Sequence, residues 1–383
     1  MINLDYVLSF KISGKNSGKK KATAEKIKYL HKLATLTSYT LDTISKSEKN
    51  KEIKMFLLEL YYLYDVILKR KEKPDIIIAR SVFCFGTFLI ARIYKIPLIM
   101  EIHADILDEN LILFKDSQVK KFLSLVWHKY NLFFFRRADG LIFNNPLLEK
   151  HFKYNYLSKT MKTISVHNGC DPEFFYPIEK QQARKKLNLS AEVTYLLFIG
   201  SLSRWHGVEH LIKTYGYIRN NCAVDNIKLL VVGGYIKDYL NELKENSANS
   251  DIVFRGEVAK EEALYYINAA DICLLPVNKI RISPGSPLKL FDYAACGKPI
   301  IAQKNTVGYS DLVEEFDLGI SCDFTDNAGA AKIIIDYINN YNEDYYRQHN
   351  REIAENYFSW EKILLKWLDF CVAIKLELDS RRN

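Results

Sequence analysis

The chain has 383 residues, of which 48% are hydrophobic and 26% charged, and its formal net charge is +8. This length suits two domains, and the composition excludes an intrinsically disordered chain. No apolar run reaches the roughly 20 residues that span a bilayer, and the first residues lack the pattern of a secretory leader, so we expect a cytoplasmic protein. The seven scattered cysteines include no Cys-x-x-Cys pair, which predicts reduced thiols and no zinc site.

In the first half of the chain, short apolar runs alternate with helical patterns. Continuous apolar strands separated by helices indicate a parallel sheet that is covered on both faces, so we predict a Rossmann-like domain. Its strands are predicted at residues 5–10, 74–79, 96–103, 140–143 and 163–166, and its helices at residues 22–36, 57–68, 81–94 and 114–137.

Positive charge is concentrated near the start of the chain, where residues 11–33 hold eight lysines and one acid, Glu25. A solvated face, a nucleic-acid surface and attraction to anionic lipid all fit such a cluster. No nucleic-acid fold signature accompanies it, so we expect no nucleic-acid partner. The aromatic and basic helix at residues 114–137 is typical of an apolar stripe that faces the core, and a helix lying on a membrane is the alternative.

A second alternation of strands and helices follows a turn-rich linker at residues 168–177. Two such α/β units place a cleft between the carboxyl ends of two sheets. We predict domains at residues 1–170 and 171–357, with a final helix in 358–383 that packs back on the first domain. The second set of strands is predicted at residues 194–199, 227–232, 252–254, 272–275 and 299–302, and its helices begin near residues 208, 236, 260, 287 and 327.

The segment at residues 283–302 is predicted to contain a loop, a helix, the residues that end this helix and a buried strand. Ser286 is predicted as the N-cap of the helix and Pro287 as its first residue. Lys289 and Asp292 are three residues apart, so they share a helix face near the N-terminus. A lysine in the first turn opposes the helix dipole unless an anion is bound there. The pattern therefore predicts a phosphate site, and an ordinary capped helix with solvated side chains is the alternative.

Three further segments end strands with glycine. The turn at residues 199–208 contains Gly200, Ser201, Arg204 and His206, and such a turn lets backbone N–H groups approach a phosphate. Gly233 with Gly234, and the segment from Arg255 and Gly256 to Val258, follow later strands. On spacing alone a plain turn without a ligand is favoured for residues 199–208, and such a turn also explains the other two segments.

His103 ends a strand of the first domain, where α/β proteins place ligand-contacting residues. A single histidine is more often structural than catalytic. Glu101 and His103 are two residues apart, so their side chains point to the same face of the strand. No third ligand accompanies them, so we expect no metal site.

The run Pro287-x-Lys289-x-x-Asp292-Tyr-x-Ala-x-Gly-x-Pro resembles the donor-binding signature of retaining GT-B glycosyltransferases of the family-4 type, glycosyltransferase group 1. The linker resembles the same family's Asn-Gly-x-Asp-x-x-x-Phe-x-Pro turn. Its matching residues are Asn168, Gly169, Asp171, Phe175 and Pro177. The resemblance implies an α/β GT-B fold with two Rossmann-like domains that face each other across a cleft, the first binding the acceptor and the second a nucleotide-sugar donor.

The resemblance also assigns roles to individual residues. Asp292 holds the ribose, Lys289 and Arg204 stabilise the diphosphate, and His103 contacts the donor sugar. The implied donor-binding residues are Gly200, Ser201, His206, Gly233, Gly234, Arg255, Gly256, Val258, Ser286, Leu288, Leu290 and Asp292, and Gly14 and Gly18 match the loop on the acceptor side. The chain departs from the family at Ser201 and His206, where arginine and lysine are common, and at Pro284, where a second glutamate is common.

The activity that follows from the resemblance is that of a retaining hexosyltransferase with a glycan or lipid-linked acceptor, acting in bacterial surface polysaccharide biosynthesis such as capsule, O-antigen or exopolysaccharide. Beyond the nucleotide-sugar co-substrate we expect no cofactor and no metal. Contact with an anionic membrane at the inner face of the plasma membrane stays open. The alternatives are a non-catalytic nucleotide-sugar-binding GT-B module, and a GT-B nucleotide-sugar epimerase or inverting transferase.

Overall fold

The computed structural model describes residues 2–13, 18–44, 50–80, 83–222, 226–234, 237–245 and 251–382, without the side chains at positions 18, 19, 237 and 238. The chain forms two compact units. Unit 1 comprises Met1–His167, Arg281–Gly285 and Trp360–Asn383, and unit 2 comprises Asn168–Ile280 and Ser286–Ser359. The continuous second domain predicted at residues 171–357 is thus interrupted by a short segment that belongs to unit 1.

Unit 1 contains a six-stranded parallel sheet in the order β2-β1-β3-β4-β5-β6. Every residue of β4 is buried, as expected for an apolar strand with helices on both faces. The strands are β1 (Asn3–Leu8), β2 (Thr35–Tyr39), β3 (Ile76–Arg80), β4 (Leu98–Ile102), β5 (Gly140–Phe143) and β6 (Thr163–Ser165). The helices are α1 (Gly18–Leu33), α2 (Leu41–Ile44), α3 (Lys51–Tyr64), α4 (Phe85–Ile93), α5 (Ile106–Leu113), α6 (Gln118–Phe135) and α7 (Pro146–Asn155), and a π-helical turn (Asp65–Lys69) follows α3.

Helix α6 is the main correction to the sequence prediction in unit 1. The apolar stripe was predicted to face the core, but the buried side of the helix carries the polar side chains of Ser124, His128 and Asn131 together with Leu132 and Phe134. Phe122 and Leu123 are 65% and 58% exposed. Amphipathic periodicity predicts a helix and its two faces, but it does not state which face the rest of the fold covers.

Unit 2 contains a second six-stranded parallel sheet, in the order β12-β11-β10-β7-β8-β9. The strands are β7 (Thr194–Ile199), β8 (Ile227–Val232), β9 (Ile252–Arg255), β10 (Ile272–Leu275), β11 (Ile300–Gln303) and β12 (Gly319–Cys322). The helices are α8 (Lys180–Lys186), α9 (Val208–Asn221), α10 (Lys237–Glu245), α11 (Lys260–Ala269), α12 (Leu288–Ala295), α13 (Ser310–Glu315), α14 (Asn327–Asn340) and α15 (Glu343–Ile353), with a 3-10 turn (Arg204–His206) before α9 and a π-helical turn (Ala354–Phe358) after α15.

The last helix, α16 (Trp360–Ser380), returns the chain to unit 1 and packs against α1. Trp367 is 1% exposed and its ring makes an edge contact with Tyr6 of β1, with 6.1 Å between the ring centroids. The C-terminal helix is therefore part of the unit 1 core. Within the described parts of the chain, no helix combines the length and apolarity needed to cross a bilayer.

Candidate active site

The strand order of unit 2 changes direction at β7, which lies between β8 and β10. In open parallel sheets, ligands bind at such a switch point, beyond the carboxyl ends of the strands. At this edge Gly200 directly follows β7 and Gly233 directly follows β8, and both are residues that the sequence singled out. Helix α12, which follows β10, supplies Lys289 to the same edge.

The turns after β7 and β8 are in direct backbone contact. The Gly200 N–H donates a hydrogen bond to the Val232 carbonyl oxygen at 2.9 Å. A Cβ atom at position 233 would lie 1.8 Å from the Gly200 carbonyl oxygen, and φ at Gly233 is +149°. Only glycine fits this position without moving backbone.

The space beside Gly200 is occupied by the ammonium group of Lys289. A Cβ atom at position 200 would lie 2.8 Å from Lys289 Nζ, and Nζ lies 4.3 Å from the centroid of the Phe198 ring. Burial lowers the pKa of Lys289 to about 7, and no carboxylate among the described residues contributes an opposing shift. A partly buried lysine without an acidic partner indicates a site that accepts an anion from outside the protein.

Helix α12 is tied to the end of β7 by Tyr293, a residue that sequence reasoning missed. The fully buried Tyr293 hydroxyl accepts a hydrogen bond from the Ile199 N–H at 3.0 Å. Lys289 precedes Tyr293 by four residues, so both side chains lie on the helix face towards β7. This four-residue spacing was the sequence signal that could have identified Tyr293. Asp292 is partly exposed on the same helix.

The predicted cap of α12 was wrong. The helix begins at Leu288, with Pro287 as its N-cap residue and no side-chain cap. The Ser286 hydroxyl instead accepts a hydrogen bond from the Asn168 N–H at 2.9 Å, and the Ser286 carbonyl oxygen accepts one from the Asn168 side chain at 2.7 Å. Ser286 is thus hydrogen-bonded to the linker turn and not to α12. The first N–H groups of α12 have no side-chain cap.

The hydrophobic residues among the predicted donor-binding residues differ in how deeply their side chains are buried. The Leu290 side chain is fully buried in the core of unit 2, whereas Leu288 keeps partial exposure. Val258 is also partly buried against that core. Leu290 therefore contributes packing, and only its backbone is in a position to take part in a site.

In the loop after Gly200, one of the predicted cations is neutralised by an acid of α10. Arg204 is 65% exposed and pairs with Glu242, with 2.6 Å between Nη2 and Oε2. The side chains of Ser201 and His206, the two departures from the family pattern, are hydrogen-bonded to each other at 3.1 Å. Asn278 holds this loop, because its side chain donates to the Arg204 carbonyl oxygen at 2.6 Å and its N–H donates to the Trp205 carbonyl oxygen. Sequence reasoning did not identify Asn278.

The turn after β9 adjoins the turn after β8. The Gly233 N–H donates to the carbonyl oxygens of Arg255 and Gly256, both at 3.1 Å. Gly234 accepts a hydrogen bond from the Leu202 N–H at 2.7 Å. Arg255 and Gly256 are exposed. Glycine turns that the sequence singled out in three separate segments are therefore brought together at one edge of the sheet.

A second set of polar residues lies in unit 1, at the carboxyl ends of β3, β4 and β5. His103 Nε2 lies 2.7 Å from the buried Glu101 carboxylate, and the Asn144 side chain contacts His103 Nδ1 at 3.2 Å. Glu101 also forms an ion pair with Lys26 of α1 and accepts a hydrogen bond from the Tyr6 hydroxyl. Sequence reasoning identified His103 but none of its partners from other elements.

The charges around His103 determine its protonation state and tautomer. Burial alone would raise the pKa of Glu101, but Lys26 and His103 together hold that pKa well below its usual range. Burial and the Arg80 guanidinium lower the pKa of His103 to about 3. Because the ionised Glu101 accepts a hydrogen bond, Nε2 of the neutral imidazole carries the proton and Nδ1 accepts from Asn144.

The remaining predictions concern the acceptor-side loop and metal binding. Gly14 lies outside the described residues, and Gly18 is the first residue of α1. The part of the chain that the structure describes contains no group of three or more potential metal ligands.

Comparisons with known proteins show what the second unit is similar to. Residues 179–356 match the family model described as glycosyl transferases group 1. An uncharacterized glycosyltransferase of Methanocaldococcus jannaschii is 26% identical over 251 residues, 64% of this chain and 62% of that protein. The lipopolysaccharide 1,2-N-acetylglucosaminetransferase of Salmonella typhimurium is 23% identical over 257 residues, 62% of this chain and 64% of that enzyme. The chain thus spans less than two thirds of the length of these curated relatives.

The fold is similar to that of a protein solved with a nucleotide. The crystal structure of Anabaena HepE in complex with UDP and glucose gives a TM-score of 0.69 at 16% identity, covering 96% of this chain and 99% of that chain. At this level of identity the likeness concerns the fold. The prediction of an α/β GT-B fold with two Rossmann-like units is confirmed.

Proposed function

Since residues 179–356 match the family model of glycosyl transferases group 1 in a chain of GT-B fold, we propose that this protein is a retaining hexosyltransferase that uses a nucleotide-diphosphate-sugar donor. In the reaction, the bond between the anomeric carbon and the donor phosphate oxygen breaks and a bond from that carbon to an acceptor oxygen forms. The leaving diphosphate gains negative charge and takes up the acceptor's proton, so no separate carboxylate base is needed.

The observation that carries the proposal is the ammonium of Lys289, held beside the Gly200 backbone without an acidic partner among the described residues. A preorganised cation at the position where negative charge develops lowers the barrier to bond cleavage. Arg204 is paired with Glu242 on the exposed surface. We therefore assign the diphosphate contact to Lys289 and to the uncapped N-terminus of α12, and we assign no independent role to Arg204.

The resemblance assigns the ribose contact to Asp292 and a contact with the donor sugar to His103. Both ring nitrogens of His103 have protein partners, Glu101 and Asn144. We propose that Glu101 orients the imidazole and that a sugar hydroxyl replaces Asn144 as the partner of Nδ1.

For the substrates, HepE binds UDP and glucose, and the Salmonella relative is a lipopolysaccharide N-acetylglucosaminetransferase. We propose by analogy a UDP-sugar donor and a glycan or lipid-linked acceptor of bacterial surface polysaccharide biosynthesis, used at the cytoplasmic side of the membrane. This assignment rests on analogy with the named proteins.

The donor site is tested with a panel of UDP-, GDP- and ADP-sugars, by measuring nucleotide release in the absence and presence of glycan acceptors. We expect one nucleotide class to be turned over. Lys289→Ala should lower kcat/KM for the donor by about 100-fold, because it removes a transition-state contact worth about 3 kcal/mol. Asp292→Ala should mainly raise the donor KM.

Lys332→Ala is the matched control, because it removes an exposed lysine of α14 in the same unit. Its kinetics should equal those of the wild type. Donor binding without nucleotide release in any combination would favour the non-catalytic binding module, an alternative that the Ser201–His206 contact also fits. Wild-type kinetics in both site variants would place the donor elsewhere and overturn the proposal.

A further inference from the structure

The exposed surface of unit 1 has an unusual distribution of apolar side chains. On α6, the apolar residues Val119, Phe122, Leu123 and Val126 recur at three- and four-residue spacing and are 70%, 65%, 58% and 50% exposed. The opposite, buried side of this helix carries Ser124, His128 and Asn131. Leu132 and Phe134 are buried as well, but earlier in the helix the polar side chains lie inside and the apolar side chains lie in water, which is opposite to the usual arrangement on a protein surface.

Helix α3 also carries a row of exposed apolar side chains, although its buried side is itself mainly apolar, with Met55, Leu58 and Tyr62. Ile53, Phe56, Leu57 and Leu60 are 59%, 45%, 42% and 41% exposed, at the same helical spacing. The fully buried side of α3 includes Glu59, whose carboxylate accepts a hydrogen bond from the Thr87 N–H of α4 at 2.9 Å. Two helices of one unit therefore present apolar stripes to solvent.

These helices are neighbours, and α4 lies between them. Phe56 of α3 contacts Phe85 of α4, with 5.2 Å between the ring centroids, and Phe88 of α4 contacts Phe133 of α6 at 6.2 Å. Single exposed apolar side chains are ordinary. Contiguous groups of them mark a surface that contacts a membrane or another molecule. We call the exposed side of α3, α4 and α6 the apolar-basic face.

The formal charges on α6, within this face, are all positive. Residues 117–138 include three lysines and two arginines and no acidic residue. Several cations lie over aromatic rings, as Arg137 does over Phe133 at 3.9 Å and Arg92 over Phe88 at 5.0 Å. In the part of the chain that the structure describes, Lys120 and Lys129 form no ion pair with a carboxylate. Aromatic rings mixed with lysine and arginine are the composition of helices that lie at the interface of an anionic bilayer.

We propose that the apolar-basic face docks unit 1 on an anionic lipid surface. The apolar stripes enter the boundary between headgroups and acyl chains, and the flanking lysines and arginines bind lipid phosphates. This inference deepens the proposed function by naming the partner of unit 1. It gives the enzyme access to a lipid-linked acceptor.

A second copy of the chain is the main alternative occupant of this face, and the charges argue against it. A two-fold symmetric dimer pairs a surface with the same surface of the partner. The positive charges of Lys120 and Lys129 would then meet those of the other copy, with no acidic residue from 117–138 to offset them. Anionic lipid has the complementary charge.

The test is sedimentation of the full-length chain with vesicles of phosphatidylcholine alone or of phosphatidylcholine with an equal part of phosphatidylglycerol, at about 0.15 M salt. We expect binding to the mixed vesicles and about tenfold weaker binding to phosphatidylcholine. The double variant Phe122→Ser/Val126→Ser should reduce binding to the mixed vesicles about tenfold, and Lys120→Glu/Lys129→Glu about 20-fold or more. All four side chains are exposed or largely exposed, so circular dichroism of these variants should match the wild type.

Matched controls come from unit 2. Ile333→Ser/Tyr217→Ser changes two exposed apolar residues, and Lys213→Glu/Lys332→Glu reverses two exposed lysines on the neighbouring helices α9 and α14. Both controls should bind vesicles as the wild type does. Absence of wild-type binding to the mixed vesicles, or equal binding by the wild type and both face variants, would overturn the proposal. So would a Phe122→Ser/Val126→Ser protein that changes from dimer to monomer while it keeps its vesicle binding.

Vesicle binding does not depend on catalysis, and nucleotide release with a soluble acceptor does not depend on lipid. A protein that turns over donor but ignores vesicles contradicts this inference alone. A protein that binds vesicles but releases no nucleotide contradicts the proposed function alone.

Discussion

At the scale of single residues, Lys289 determines how this protein should respond to pH. The pKa of Lys289 is lowered from 10.5 to about 7 because burial disfavours the charged ammonium. A lowered lysine pKa destabilises the folded protein as the pH falls from 10.5 towards 7, since the unfolded chain then binds the proton more strongly. An anion beside the ammonium reverses the effect, because its charge raises the pKa of Lys289 and favours protonation.

We therefore expect UDP, the nucleotide bound by HepE, to bind more weakly at alkaline pH and to take up a proton on binding. If the bound ammonium stays fully protonated up to pH 9, the affinity should fall about 50-fold between pH 7 and pH 9, as the protonated fraction of the free lysine falls. Isothermal titration calorimetry in buffers of different ionisation enthalpy measures both effects. Lys289→Ala should bind UDP weakly at both pH values, with no proton uptake.

Lys332→Ala, the control on α14, should keep the full pH dependence of the wild type. A wild-type affinity that is constant from pH 7 to pH 9 would show that Lys289 does not contact the diphosphate.

At the scale of secondary-structure elements, the position of α12 decides where Lys289 lies. This eight-residue helix is joined to the end of β7 by the hydrogen bond from the Ile199 N–H to the Tyr293 hydroxyl. A helix this short has little stability of its own, so tertiary contacts hold it in place. The same contact therefore links the sheet, the helix and the candidate anion site.

Tyr293→Phe should lower the free energy of unfolding by about 1–2 kcal/mol, because the partly buried Ile199 N–H loses its acceptor. It should also weaken UDP binding about fivefold, since α12 is then free to shift away from Gly200. Urea denaturation and calorimetry measure the two effects.

Tyr215→Phe is the matched control for this variant. The buried Tyr215 hydroxyl donates to the Ile227 carbonyl oxygen at 2.8 Å in the same unit, on α9 rather than α12. It should cost similar stability and leave UDP affinity unchanged. Equal UDP affinities in all three proteins would show that the Tyr293 hydroxyl does not position the site.

At the scale of the whole molecule, unit 1 depends on pieces of chain that are distant in sequence. Arg281 pairs with Glu109 at 2.7 Å, and the Ile282 N–H donates to Asp108 at 2.9 Å, which holds the segment Arg281–Gly285 against α5. Helix α16 completes the core beside Tyr6 and Lys26. The fold of unit 1 therefore requires residues that follow unit 2 along the chain.

Trp367→Ala should destabilise unit 1 by about 3–5 kcal/mol, because it leaves a large cavity beside β1. Hydrogen-exchange mass spectrometry should show faster exchange in peptides of β1 and β3 and unchanged protection of the unit 2 sheet. Leu376→Ala on the same helix, where the side chain is 63% exposed, should change neither. Faster exchange confined to unit 2 would contradict the assignment of α16 to unit 1.

Much of this architecture was predictable from local sequence patterns. Strands β5, β7, β8 and β10 have the predicted bounds, and α9, α11 and α14 begin at the predicted residues 208, 260 and 327. These elements are continuous apolar runs or periodic segments bounded by turn residues, and such signals act over neighbouring residues. The three glycine turns and Lys289 were predictable for the same reason.

The edge strands β2 and β12, helix α7 and the true face of α6 were decided by tertiary structure. So were the partners of the site residues: Ser286 bonds to Asn168, which lies 118 positions away, and Lys26 pairs with Glu101 across 75 positions. Local sequence determined which segments fold into helices and strands, because hydrogen bonding and periodic burial along the chain are short-range. Only the packed fold determined which side chains meet and which face water, because those contacts join residues that the sequence keeps far apart.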